Sequence, residues 1–96
     1  MDSRVRDSVI KKIHEAADNS EDAKLIAEAL IGEVKNPRDF LFGIIVGRIY
    51  NSFHYQTRRI LGRSETRQEF IEFRELLGSN TDEISRAIQR SFQDRQ

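Results

Sequence analysis

Cysteine is absent from this 96-residue chain, which removes disulfides, thiolate metal sites, iron–sulfur clusters and cysteine nucleophiles together. Proline occurs once and glycine five times, too few for a collagenous repeat, a long linker or a turn-rich β-sandwich. Neither sign of charge is in excess: 16 Lys and Arg balance 16 Asp and Glu, which argues against a polybasic coat or an acidic tail. Long apolar runs are missing too. The longest, Phe40 to Gly47, is closed by Arg48, whereas a membrane span needs about 20 residues. The first dozen residues carry charges throughout and lack the apolar stretch of an export signal. The expectation is a soluble, cytoplasmic protein that does not meet a membrane.

What is present is helical periodicity. With 38% apolar and 33% charged residues the chain has enough apolar side chains to fold, and its length suits a single domain over 1–96. Val5, Val9, Ile13 and Ala16 recur at spacings of three and four, giving a first helix from about Ser3 to Asp18. Asn19-Ser20 breaks it, and Ser20 caps a second helix with Glu21 and Asp22 in its first turn. That helix presents Ala23, Ile26, Ala27, Leu30 and Val34. Asn36-Pro37 starts a third, with Asn as cap, Pro at the first helical position and Asp39 close behind. It runs to Leu61, where Gly62 supplies the left-handed residue. Ser64 caps a fourth helix presenting Phe70, Phe73 and Leu77, stopped by Gly78. Asn80 or Thr81 caps a fifth, with Ile84, Ala87, Ile88 and Phe92 inward. The fold class is all-α: a five-helix bundle with a long central helix over about 37–61. The core predicted from this pattern holds Val9, Ile13, Ile26, Leu30, Phe42, Ile45, Ile49, Phe53, Phe70, Phe73, Leu77, Ile84 and Ile88.

The central helix separates into two halves. At about 100° per residue, Phe42, Ile45, Val46, Ile49, Phe53 and Ile60 share one face, while Phe40, Leu41 and Ile44 fall opposite. The first half is therefore apolar all round and expected to be covered on every side. Gly43 and Gly47, four apart, are expected to let a neighbouring helix of the bundle come close. The second half is amphipathic. Opposite its apolar stripe stand Arg48, Asn51, Tyr55, Arg58 and Arg59, with Arg63 just beyond.

That helix also concentrates the positive charge. Residues 1–36 hold six Lys and Arg against eight Asp and Glu, residues 37–63 five against one, and residues 64–96 five against seven. The net charges are −2, +4 and −2. Arginine with tyrosine on one helical face can hold phosphates and stack on bases. The same arginines can instead be solvated, or paired with glutamates of neighbouring helices.

The end of the chain bears on the same question. Leu77-Gly78-Ser79-Asn80-Thr81-Asp82-Glu83-Ile84-Ser85-Arg86-Ala87-Ile88 resembles the turn and recognition helix of bacterial and archaeal helix-turn-helix DNA-binding domains. Leu77-Gly78 matches the close of the first motif helix and Ile84 the apolar position after the turn, and Glu83-Ile84-Ser85-Arg86 is similar to the Glu-Thr-Val-Ser-Arg-like string of regulators of the catabolite-activator class. Thr66-Arg67-Gln68-Glu69 echoes the opening of the first motif helix. Arg74 and Ser79 depart from the pattern, which has a small residue and an apolar one there. The resemblance implies that the last helix shows Asp82, Ser85, Arg86 and Gln89 to a major groove, with Thr81 near a phosphate. Arg is then suited to guanine, Gln to adenine and Asp to cytosine.

Catalytic groupings are poor. His14 and Asp18 have no third metal ligand, His54 reads as a boundary side chain hydrogen-bonded near the core, and Ser52 does not share its face. Glu65, Glu69 and Glu72 form a row expected to be exposed and solubilising. Neither a glycine-rich phosphate loop nor a cofactor motif occurs, so no enzyme, metal, cofactor or small-molecule substrate is expected. Two classes of function remain. One is DNA binding; the other is a protein-interaction or oligomerisation module, as a weak homodimer or with another protein meeting the basic face.

Overall fold

A computed structural model of the chain describes residues 1–18, 20–30 and 32–93. Five helices follow one another: α1 (Ser3–Asp18), α2 (Ser20–Ala29), α3 (Pro37–Leu61), α4 (Arg67–Ser79) and α5 (Thr81–Gln93). There is no strand among the described residues. The architecture is the expected all-α bundle, with α3 as its axis. The molecule measures 44 × 23 × 19 Å, and α3, at roughly 1.5 Å per residue, spans most of its length.

The signals that delimit α3 act as their chemistry requires. The Asn36 side chain accepts a hydrogen bond from the Asp39 backbone N–H at 3.1 Å, and Pro37 follows without an N–H to satisfy. At the other end Gly62 takes φ 70°, and its N–H donates to the Arg58 carbonyl at 2.9 Å. Along the helix the fully buried positions are Leu41, Ile45, Ile49, Phe53 and Thr57, a strict spacing of four. Thr57 is tolerated there because its hydroxyl donates to the Phe53 carbonyl at 2.8 Å.

Val5, Val9, Ile13 and Ala16 of α1 are buried against this column, as are Ile84 and Ile88 of α5. α4 joins through rings. Phe53 and Phe73 stack with centroids 4.4 Å apart and planes 7° from parallel, and Tyr50 meets Phe73 at 5.9 Å and Phe70 at 6.2 Å. The Lys24 ammonium, 5% exposed, ties α2 to α5 by donating to the Ser91 carbonyl at 2.6 Å.

Several expectations change. Leu41, read as opposite the stripe, is fully buried, whereas Phe42 is only partly covered. Leu76 is buried and its neighbour Leu77 only partly. In α2 the inward face is Ala23, Lys24 and Ala27; Ile26 and Leu30, expected in the core, are 47% and 41% exposed. Small residues face inward and let α2 lie close to its neighbours, so the large ones are left outside. α2 also ends at Ala29, short of Val34, and Gly32 turns the following loop at φ 97°. Thr66, rather than Ser64, caps α4: its hydroxyl accepts from the Glu69 N–H while Glu69 accepts from the Thr66 N–H, a reciprocal capping box. The expected break at Asn19, the capping of α2 by the Ser20 side chain and the inward placement of Phe92 lie outside the described residues and side chains.

Gly43 and Gly47 are exposed, and a Cβ added to either meets nothing within 4 Å. The first half of α3 is therefore not covered on every side, and among the described residues no helix makes the expected close approach.

The corrected core makes a direct test. Leu41→Ala should lower unfolding stability by about 2–5 kcal/mol, as for other large-to-small core changes. In dilute solution Ile26→Ala should stay within about 0.5 kcal/mol of wild type, the surface range. Urea unfolding of the two variants reads both.

Candidate nucleic-acid interface

Arg48 is half-buried, and Asn51, Arg58 and Arg59 are exposed along the outer side of α3. Tyr55, among them, is 60% exposed. Arg48, Asn51, Ser52, Tyr55 and Gln56 line a shallow cleft closed on its far side by Lys12 of α1. Its lining contains no carboxylate. Among the described residues no ion pair involves Lys12, Arg48, Arg58 or Arg59. Arg59 Nε donates instead to Gln56 Oε1 at 2.9 Å. Pairing with neighbouring glutamates, one of the two ordinary uses for these arginines, is thus not what occupies them. Lys12 was not legible as a member of this surface, since only packing sets α1 beside α3; Ser52 and Gln56 stand next to Arg48 and Tyr55 by helical spacing and were passed over.

Arg63 is different. Its guanidinium grips Glu69 with Nη1 at 2.8 Å and Nη2 at 3.2 Å, and Nη1 also donates to the Ser64 carbonyl. It clamps the α3–α4 turn and is committed to that contact. The arginine holds the Glu69 carboxyl down to about 2, with help from the Thr66 N–H.

The expected acidic row of α4 is therefore not idle, and Glu65 lies ahead of that helix rather than on it. Glu65 lies 2.8 Å from His54 Nδ1, Glu69 holds Arg63, and Glu72 lies 2.7 Å from the Met1 ammonium. Each fixes a neighbouring element. His14, similarly, lies 2.6 Å from Glu83 and links α1 to the first turn of α5. Among the described residues no group of three His, Asp or Glu can hold a metal.

The other predicted contacts lie on α5. Thr81, Asp82, Ser85, Arg86 and Gln89 are all exposed. Ser85 and Gln89 share a cleft with Arg38, Asp39 and Phe42 at the N-terminal end of α3. Measured from Phe42 round the α3 axis at about 100° per residue, Arg48, Tyr55, Arg58 and Arg59 all lie at least roughly 100° away. The cleft that holds Ser85 and Gln89 therefore lies on a different side of α3 from these residues.

The α4–α5 junction also differs from its expected form. Gly78 is inside α4, which continues through Ser79, and its φ is not positive. Asn80 alone separates the two helices, with φ −113° and ψ 11°. Neither Asn80 nor Thr81 caps α5 through its side chain. Both turn back: Asn80 Nδ2 donates to the Leu76 carbonyl at 2.8 Å and the Thr81 hydroxyl to that of Leu77 at 3.1 Å. These bonds serve the free carbonyls that end α4.

Set against known proteins, the chain shows no significant match to any family model, curated protein or solved structure. Among the described residues no helix is long and apolar enough to cross a membrane.

The Arg63–Glu69 clamp predicts a pH dependence. A carboxyl lowered from 4.5 to about 2 contributes stability that is present above its ordinary value and is lost as pH falls through the lowered one. Glu69→Gln keeps the capping box but removes the charge. Its melting temperature should lie below wild type near neutrality, and the gap should shrink steadily below about pH 4.5. A gap that stays constant with pH would assign the effect to packing alone.

Proposed function

We propose that this chain is a small, non-catalytic nucleic-acid-binding domain whose contact surface is the arginine face of α3. The observation that carries the reading is the group Arg48, Arg58 and Arg59 around the exposed Tyr55, with Lys12 alongside and no carboxylate paired to any of them among the described residues. Guanidiniums without a carboxylate partner keep donors for phosphate oxygens, and Arg59 gives only its Nε to Gln56. An exposed tyrosine between them offers a ring for stacking. With zero net charge overall, attraction depends on this local excess.

Double-stranded DNA entered by α5 is the finer form of the proposal. Supporting it are Ser85, Arg86 and Gln89, which are exposed at successive turns of one helix. Against it stand the single-residue junction at Asn80, where helix-turn-helix pairs use three or four residues, and the carboxylates of Asp82 and Glu83 in the first turn. The arginine face of α3 is the stronger part, and phosphate contact is its primary work.

Fluorescence anisotropy with a labelled duplex, at about 50 mM and again at 200 mM salt, tests both parts. Wild type should bind at low salt and weaken steeply at high salt. Arg58→Ala and Arg59→Ala should each weaken binding to every sequence and reduce the salt slope by about one unit. If α5 reads bases, Arg86→Ala should cost about 1–3 kcal/mol and relax preference at one position. An Arg86→Ala variant equal to wild type confines the contact to α3. Absence of binding at low salt rejects the nucleic-acid reading altogether.

A further inference from the structure

Two apolar surfaces are left uncovered among the described residues. The first is a groove between α3 and α4, floored by Gly43, Gly47 and Val46 and walled by Tyr50, Phe70 and Leu77, with Arg74 as the single charge in its lining. The stacked rings of Phe53 and Phe73 set the separation of the two helices, and the missing side chains at Gly43 and Gly47 leave the trough open. The second is the outer face of α2. Leu25 and Ile26, with Leu30 just past its end, are 53%, 47% and 41% exposed, beside the buried Ala23 and Ala27. Asp22 precedes Ile26 by four residues, so Asp22, Ile26 and Leu30 form one ridge with a carboxylate at its N-terminal end.

We infer that these two surfaces are partners: the α2 ridge of one copy of the chain seats in the α3–α4 groove of another. Three features converge on a second copy as the occupant. The lengths agree, since Gly43 to Tyr50 covers roughly 10 Å of helix and Asp22 to Leu30 roughly 12 Å. The charges are complementary, an exposed carboxylate on the ridge and an exposed guanidinium on the groove. Each surface is otherwise an uncovered apolar patch of the kind that marks an interface. Glycines one turn apart admit an incoming helix to close contact, a use that no helix among the described residues makes of them. Because ridge and groove are different patches, a two-fold pair makes the contact twice, whereas a head-to-tail arrangement makes it once per copy and closes into a ring or extends into a chain.

Sedimentation velocity on the full chain, over a concentration series reaching about 1 mM, provides the test. Wild type should associate reversibly. Gly47→Leu fills the groove from a position where an added Cβ meets nothing within 4 Å, and leucine favours helix over glycine, so the helix should stay intact, which circular dichroism verifies. Gly47→Leu and Ile26→Glu should each weaken association by at least about tenfold. Arg74→Asp and Asp22→Arg should each weaken it too, and the doubly exchanged chain should recover. A wild type that stays monomeric throughout overturns the proposal and gives the groove to a different protein. Loss in Gly47→Leu with no loss in Ile26→Glu also overturns it, because the copies then meet groove to groove. Association unaffected by either variant places the interface elsewhere.

Discussion

The buried column of α3, Leu41, Ile45, Ile49, Phe53 and Thr57, is the constraint on which the rest of the molecule depends. Steps of four residues advance about 40° beyond a full turn, so from Leu41 to Thr57 the buried side rotates by roughly 160°. A single flat neighbour cannot cover such a column. It needs helices arranged around it, and four are present: α1, α2 and α5 pack against α3, and α4 reaches it through Phe73. Apolar burial of this kind supplies most of the stability of small helical proteins, where helix propensity alone is marginal.

The rotation of the buried side also determines what α3 shows to solvent. Near its start the exposed side carries Gly43 and Gly47; beyond Ile49 it carries Tyr55, Arg58 and Arg59. One helix thus presents an apolar trough at one end and a cationic, tyrosine-bearing strip at the other. The chemistry of the two differs accordingly. The strip has donors without carboxylate partners among the described residues, and the trough has apolar walls with one guanidinium in its lining. The proposed nucleic-acid contact and the proposed self-association therefore use separate surfaces.

Signals local in sequence were legible. Asn36, Pro37, Asp39 and Gly62 delimit α3 by capping chemistry that involves only neighbouring residues, and the five-helix count follows from similar punctuation. Features set by packing were not. A fixed wheel assumes one buried direction, so it put Leu41 on the wrong side of a column that turns. Hydrophobicity assigned Ile26 and Leu30 to the core, whereas the close seating of α2 turned Ala23 and Ala27 inward. Gly78 read as a stop, yet the end of α4 is made by Asn80 and Thr81 bonding back to its carbonyls. For the candidate site, the exposure of Arg58, Arg59, Arg86 and Gln89 followed from amphipathicity. The placement of Gln89 on a different side of α3 from Arg58 and Arg59 did not, because it depends on how α5 docks. The pairing of Glu65, Glu69 and Glu72 with His54, Arg63 and the Met1 ammonium was equally a tertiary matter.

Native-state amide hydrogen exchange, followed residue by residue, tests the role of the column most directly. If the other helices depend on α3, the amides of Leu41 through Thr57 should exchange only by global unfolding and be the slowest in the chain. Those of α2, held by two alanines and Lys24, should open well before them. Amides of α3 exchanging as early as those of α2, or α1 and α5 remaining protected after α3 has opened, would contradict the account.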